Sequence, residues 1–185
     1  MGVAGTVPSE SAAVVAADLV DRVAAARIGS TYNQYASSGL RRDRLRGYLT
    51  ARAEAPIVLV GEAAGYRGAR VSGLAFTSER QLTGAGPAEA SATVVHRVLA
   101  ELGLDEDVLL WNVVPTHPGT ATSNRRPTAA EIAAGGTFLG EVVRRRRAIA
   151  VGRVAASVLD APYVRHPARG GATAFADGLR RTLAA

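Results

Sequence analysis

The sequence contains no cysteine and no lysine, and it has few aromatic residues. Without cysteine, disulfides, thiolate metal sites and iron-sulfur clusters are excluded. Without lysine, no side-chain amine is present to form a Schiff base with a sugar. No apolar run approaches the roughly 18 residues that a membrane span needs. We therefore expect no cofactor, no metal cluster and no membrane partner.

The remaining composition is that of an ordinary globular protein. The 185 residues are 48% hydrophobic and 21% charged, and this length suits one domain. Glu10, Asp18 and Asp21 interrupt the first Ala/Val-rich stretch, which is therefore not typical of a signal peptide. We predict a cytoplasmic protein with a frayed N-terminus over residues 1–8 and a single domain over residues 9–185.

Arginine alone carries the positive charge. The formal net charge is +6, and all 22 basic residues are arginine, whose planar fork suits phosphate contacts. An Ala/Arg-rich composition can equally reflect genomic base composition, so the charge does not by itself indicate nucleic acid. The cluster of Arg41, Arg42, Arg44 and Arg46 is most simply a solvated helix face, with DNA contact as the alternative.

Four short apolar runs predict strands, and helical patterns separate them. This alternation predicts a single α/β domain with a short central parallel sheet of about four strands and helices on both faces. In such sheets, ligands bind outside the carboxyl ends of the strands. The predicted strands are 57–60, 108–114, 148–151 and 163–164, and the predicted helices are 8–26, 31–52, 87–102, 128–147, 153–159 and 172–183.

Three motifs accompany these strands. The first begins at Gly61, continues through a glycine-rich turn and delivers an aromatic ring at Phe76. The second is a strand that carries Asn112, and the third is a His-Pro loop at His166. Because parallel strands place their carboxyl ends at one edge of the sheet, we expect the three motifs to converge. They span residues 60–79, 111–115 and 164–171.

The three motifs, in this order, resemble those of the uracil-DNA glycosylase superfamily. Residues 61–65 read GEAAG, which is similar to the GEAPG motif of one branch, with alanine in place of proline. The resemblance implies a monofunctional DNA glycosylase that hydrolyses the N-glycosidic bond of uracil, or of another deaminated or 5-substituted base, in base excision repair. It also implies a monomer whose partner is DNA containing such a base, flipped out of the helix.

The resemblance also implies roles for individual residues. Phe76 would stack on the flipped base, and Asn112 would pair with the N3–H and O4 of uracil. Backbone N–H groups of Glu62 and Ala63 would hold the uracil O2. His166 would stabilise the negative charge that develops on the base as its bond to C1′ breaks. Without the motifs, the simplest interpretation of Phe76 would be a core residue, and that of Asn112 a cap or turn partner.

The predicted site can be stated by role. The predicted catalytic residues are His166, Asn112 and Glu62, and no metal ligand is predicted. The predicted substrate-binding residues are Gly61, Glu62, Ala63, Gly65, Tyr66, Phe76, Asn112 and His166. The predicted DNA-binding residues are Ser72, Ser78, Arg169 and Gly170, with Arg169 filling the gap left by the flipped nucleotide or gripping phosphate.

Two positions depart from the classical glycosylases of this superfamily. Those enzymes carry a water-orienting aspartate where Ala63 stands, so Glu62 is the remaining candidate for positioning water, with a helix cap as the alternative. They also carry a tyrosine that blocks the thymine methyl group where Gly65 stands. We therefore expect the pocket to be open beside Gly65 to larger or 5-substituted bases.

The GEAPG branch usually binds a four-iron, four-sulfur cluster through four cysteines. In the two corresponding regions this chain has residues 116–118 and 134–136, without a thiolate. We expect ordinary packing and the N-terminal helices to replace the cluster as scaffold, and we expect structural roles for His96 and His117. Two alternative functions remain open: a catalytically silent protein that binds DNA lesions, and a hydrolase of free nucleosides or nucleotides.

Overall fold

A four-stranded parallel sheet forms the centre of the molecule in the computed structural model, which describes residues 10–185. The predicted frayed terminus at 1–8 and the start of the first predicted helix lie outside the described residues. The strand order is β2-β1-β3-β4, and every pairing is parallel. This confirms the predicted fold class. The strands are β1 (Ile57–Ala63), β2 (Val108–Val114), β3 (Arg147–Val151) and β4 (Tyr163–Val164).

Helices pack on both faces of this sheet. In the part of the chain that the structure describes, no helix is both long and apolar enough to cross a membrane. The helices are α1 (Glu10–Ala25), α2 (Gly39–Ala51), α3 (Ala69–Ser72), α4 (Glu79–Thr83), α5 (Ala90–Leu102), α6 (Ala129–Gly136), α7 (Leu139–Val143), α8 (Arg153–Ala156) and α9 (Ala172–Ala184).

The apolar strand residues divide between two hydrophobic clusters because successive side chains of a strand point to opposite faces. Val58 and Val60 of β1 pack against α1, α2 and the helices α6 to α8 on one face. Leu59 packs on the other face against α5 and α9. Both faces are therefore buried, which explains why the strands read as continuous apolar runs rather than as alternating ones.

The second predicted helix is wrong over its first part, because α2 begins only at Gly39. Asn33 keeps the preceding chain out of helical geometry: its amide group donates to the backbone oxygens of Val23 and Ala26 at the end of α1. Its side-chain oxygen accepts from the N–H of Tyr35 at 3.0 Å. Such local bonds compete with helix formation. Residues 28–38 therefore form an irregular connection between α1 and α2.

This irregular connection packs against the segment that follows β2. Tyr32 and His117 exchange two backbone hydrogen bonds of 2.9 Å, and Gln34 donates to the carbonyl oxygen of Pro115 at 2.8 Å. The buried imidazole of His117 lies 2.7 Å from the backbone oxygen of Ala64 in the first motif. The irregular connection thus packs directly against the end of β2 and the residues that follow it.

The single helix predicted over 128–147 is also wrong, since α6 and α7 divide it and β3 already begins at Arg147. The chain turns after α7, where Arg145 has a φ of 62°. The guanidinium group of Arg146 then reaches across to the backbone oxygens of Arg52 and Ala53, at 3.3 and 2.6 Å. These distant acceptors hold the turn, and no periodicity in the sequence reveals them.

Candidate active site

A cleft of about 480 Å³ lies at the carboxyl end of the sheet, where the three motifs meet. This is the edge at which parallel α/β sheets bind ligands. The described residues include no group of three or more histidines, aspartates and glutamates placed to hold a metal ion. The predicted site residues that line the cleft are Glu62, Ala63, Gly65, Phe76, Asn112, His166 and Arg169.

Gly61 allows two of these side chains to come together. It pairs with Asn112 in the register of β1 and β2, so the two residues lie side by side near the end of the sheet. A Cβ atom on Gly61 would lie 2.7 Å from Oδ1 of Asn112 and would collide with the ring of Phe76. The absence of a side chain at Gly61 therefore creates the space in which the amide and the ring meet.

Phe76 has a strained backbone, with a φ of 49°. Its ring is only 6% exposed and packs with the core cluster under α5 and α9, while it also lines the cleft. The surrounding loop is held by inward-facing hydroxyl groups. The phenol group of Tyr35 donates to the backbone oxygen of Gly73 at 2.8 Å, and Ser72 Oγ donates to that of Thr77 at 2.6 Å. Phe76 is thus both a core residue and a fixed wall of the cleft.

The arginine cluster of α2 supports the same loop. Arg41 Nε donates to the backbone oxygen of Val71 at 2.8 Å, and Arg44 forms two hydrogen bonds with the carboxylate of Glu79 at 2.8 and 2.9 Å. Such bidentate pairs fix geometry as well as charge. These two arginines therefore fasten the loop that carries Phe76.

Asn112 presents an unoccupied amide group to the cleft. Its side chain is 6% exposed and forms no hydrogen bond with another residue in the described range. An amide carries both donors and an acceptor, and a buried one normally has partners. The alternative reading as a cap or turn partner is therefore wrong, and the free donor and acceptor are available to a ligand.

His166 is held in one tautomer. Its Nδ1 accepts a hydrogen bond from the N–H of Ala168 at 3.1 Å, so in the neutral ring the proton is on Nε2. Burial, and then the neighbouring charge of Arg165, lower the pKa of His166 below the ordinary value of 6.5. The ring lies 5.9 Å from that of Phe76, between centroids. His166 thus offers a neutral N–H donor beside the aromatic wall.

Glu62 and Ala63 belong to the last residues of β1, so the alternative of Glu62 as a helix cap is wrong. β1 continues its pairing with β2 as far as Ala63, whereas its pairing with β3 ends at Val60. The end of β1 therefore projects beyond β3 toward the cleft. Burial raises the pKa of Glu62, and the charges of Arg126 and Arg169 oppose that shift.

The space beside Gly65 is occupied, and the expectation of an opening there is wrong. The carboxylate of Glu89, at the start of α5, lies directly against Gly65 and against Gly68. The sequence offers no signal for this contact, because an acidic residue at the beginning of a helix is commonplace. Glu89 is the main feature of the cleft that the motifs do not reveal.

Several predicted residues lie outside the cleft lining. Tyr66 donates its backbone N–H to Asn124 at 2.9 Å, and its ring lies 5.3 Å below the guanidinium group of Arg67. Ser72 and Ser78 are fully buried with their hydroxyl groups bonded inside the protein, so we assign them no DNA contact. Both serines instead stabilise the loop around Phe76.

The rim of the cleft is basic. Arg126, Arg165 and Arg169 line it, and the side chains of Arg126 and Arg169 form no hydrogen bond or ion pair within residues 10–185. Arg169 is exposed and has a φ of 52°, and Gly170 follows with a φ of 73°. This left-handed pair turns the chain between His166 and the start of α9. Unpaired guanidinium groups around a cleft favour an anionic ligand.

Comparison with known proteins agrees with this geometry. The family model described as the Uracil DNA glycosylase superfamily matches residues 49–181, and the chain belongs to that superfamily. It is therefore of the glycosylase class, hydrolases of DNA repair that act on DNA. The structure is similar to a crystal structure of wild-type SMUG2 from Pedobacter heparinus, with a TM-score of 0.65, 12% sequence identity, and coverage of 91% of this chain and 96% of that one. At this identity the likeness supports the fold alone. A comparison with curated proteins found no match.

Proposed function

We propose that the protein is a monofunctional DNA glycosylase that removes uracil, or a related damaged base, from DNA in base excision repair. One observation carries the proposal: the ring of Phe76, the free amide of Asn112 and the neutral imidazole of His166 meet in one cleft. An aromatic wall, a paired donor and acceptor, and an N–H donor are the groups that reading and releasing a flipped base requires. We also propose that it acts as a cytoplasmic monomer.

In this mechanism the flipped base stacks against Phe76, and the amide of Asn112 pairs with its N3–H and O4. Cytosine inverts both hydrogen-bonding demands and is rejected. The Nε2–H of His166 points to O2, where negative charge grows as the N1–C1′ bond breaks. The electron pair of that bond leaves with the base, and a water molecule adds to the sugar at C1′ and loses a proton. Glu62 is the proposed group that positions this water.

DNA is favoured over a free nucleoside by the basic rim. Arg126, Arg165 and Arg169 surround the cleft entrance, where a nucleoside would carry no charge for them to bind. Because the chain has no lysine side chain to form a Schiff base with the sugar, we propose that the abasic site is released without strand cleavage.

The decisive experiment uses single-stranded and double-stranded oligonucleotides that carry one uracil, with a uracil-free strand as control. Strand breaks that appear only after alkali treatment indicate the proposed activity. Binding of the uracil strand without breaks indicates the catalytically silent alternative. Release of uracil from free deoxyuridine or its monophosphate, with oligonucleotides left intact, indicates the nucleoside hydrolase. Breaks without alkali would contradict a monofunctional enzyme.

A further inference from the structure

Two glycines of the first motif, Gly65 and Gly68, leave space that the carboxylate of Glu89 fills. Oε1 of Glu89 lies closer to the position of a Cβ atom on Gly65 than any real contact allows, and its Cδ lies 2.7 Å from the position of a Cβ on Gly68. Any side chain at either glycine would push the carboxylate away. Glu89 thus reaches the cleft only because both residues lack side chains.

The carboxylate of Glu89 has no partner within the protein. Glu89 is the N-cap residue of α5, yet its side chain does not cap the helix. Across the described residues it forms no hydrogen bond and no ion pair, whereas the buried Glu131 is paired with Arg125. Burial raises the pKa of Glu89, with no cation to oppose the shift. A carboxyl group that is half-buried, unpaired and part of a cleft wall is available to a ligand.

We propose that Glu89 is a specificity-determining residue that reads the substituent at one side of the bound base. A carboxylate accepts a hydrogen bond from a hydroxyl or amino group, but an apolar methyl group placed against it leaves it desolvated and unpaired. The cleft therefore selects pyrimidines whose substituent is a hydrogen-bond donor and rejects those that carry a methyl group. This inference rests on the proposed binding of a flipped base in the same cleft.

The test compares three bases that differ only at C5: uracil, thymine and 5-hydroxymethyluracil. Methyl and hydroxymethyl groups are similar in bulk, so a difference between them reports the hydrogen bond. Each base is placed in an oligonucleotide as its 2′-fluoro-2′-deoxynucleotide, which slows cleavage and allows affinity to be measured. The parent should bind the hydroxymethyluracil strand at least about tenfold more tightly than the thymine strand.

The variants are Glu89→Ala, Glu89→Gln and, as a matched control, Glu101→Ala at the exposed end of the same helix. Glu89→Ala should reduce the preference for hydroxymethyluracil over thymine by about tenfold, chiefly by admitting thymine. Glu89→Gln should retain part of it, because an amide still accepts a hydrogen bond. Glu101→Ala should leave it unchanged. Equal parental affinity for the two bases, or an unchanged preference in Glu89→Ala, would overturn the proposal.

A displacement variant separates the position of Glu89 from its chemistry. Gly65→Ala places a methyl group against Oε1 of Glu89. Introduced alone, it should weaken the preference for hydroxymethyluracil over thymine, and added to Glu89→Ala it should have little further effect. If the effects of Gly65→Ala and Glu89→Ala on this preference were additive, Gly65 would not act by making room for Glu89. Because the readout is binding, a Glu89-dependent preference, together with no cleavage of the unmodified uracil oligonucleotides, would support this inference while contradicting the proposed glycosylase activity.

Discussion

The ring of Phe76 and the imidazole of His166 lie 5.9 Å apart, between centroids, with their planes inclined by 33°. One comes from the loop after β1 and the other from the loop after β4, at separate points along the sheet edge. They form adjacent walls of the cleft, so a base that stacked against Phe76, as we propose, would present its edge to His166.

Replacing His166 with alanine should lower the single-turnover rate of uracil release by at least about tenfold and leave DNA affinity nearly unchanged. The reason is that its hydrogen bond strengthens only as charge develops on the base. Rapid-quench kinetics and fluorescence anisotropy measure the two quantities. His96→Ala is no suitable control because His96 bonds to Thr77 beside Phe76; Arg144→Ala, away from the cleft, serves instead. Equal rates for parent and variant would remove His166 from the site.

The tautomer of His166 is a second prediction. At pH 7 its ring should be neutral with the proton on Nε2, since the pKa is lowered by burial and Nδ1 accepts from Ala168. The folded-state pKa lies below that of the unfolded chain, so protonation favours unfolding, and the stability of this loop should fall as the pH drops through about 6.5. Long-range ¹⁵N–¹H spectra identify the tautomer. A proton on Nδ1 at pH 7 would contradict the assignment.

Replacing Asn112 with alanine should weaken the preference for uracil over cytosine and lower the rate of uracil release. The free amide is proposed to pair with two positions of uracil, and its loss leaves the base unread. A panel of uracil and cytosine strands measures the preference, with circular dichroism to establish that the variant folds. The position is buried within β2, so Asn112→Asp, which keeps the shape and loses the donor, is the isosteric companion. An intact preference for uracil in both variants would rule out the pairing role.

Arg169→Ala should weaken binding to uracil-free duplex and reduce the slope of log affinity against log salt by about 0.9, the value for one lost phosphate contact. Its guanidinium group is exposed, unpaired within the described range and at the cleft rim. Arg144→Ala is the matched control, because Arg144 is exposed but lies away from the cleft. An equal change of slope in the two variants would indicate general charge attraction rather than a defined DNA contact.

Glu131→Gln should destabilise the protein by about 1 to 2 kcal/mol at pH 7, because the buried carboxylate loses its charge while its partner Arg125 stays partly exposed to solvent. The Glu131 carboxylate is 1% exposed and accepts two hydrogen bonds from Arg125 and others from Ser30 and Thr128. These contacts, led by Arg125, lower its pKa from 4.5 to about 2. The stabilisation is therefore complete above pH 4.5 and lost as the pH falls toward 2.

Urea unfolding of parent and Glu131→Gln at several pH values measures this difference. The gap between their free energies of unfolding should be largest near neutrality and shrink below pH 4.5. The exposed Glu106 supplies the control variant Glu106→Gln. A gap that is constant across the whole pH range would show that the ion pair is not its cause.

Several features of this protein follow from the sequence by itself. The apolar runs at 57–60, 108–114 and 148–151 determine the buried strands, because only a sheet covered on both faces tolerates such continuous hydrophobicity. The order of strands and helices then places Gly61, Asn112 and His166 near one edge of a parallel sheet. The missing cysteines exclude thiolate chemistry, and the missing lysines exclude a Schiff base formed by a side-chain amine.

The tertiary structure decided the rest, because the deciding contacts join residues far apart in the chain. The local sequence predicts a helix from residue 31. In the structure, however, Asn33 bonds to the end of α1 and Tyr32 pairs with His117. The gap that the sequence indicates beside Gly65 is filled by Glu89, which approaches from the start of α5. Local periodicity reports which face a residue buries, but it carries no information about which distant side chain meets it there.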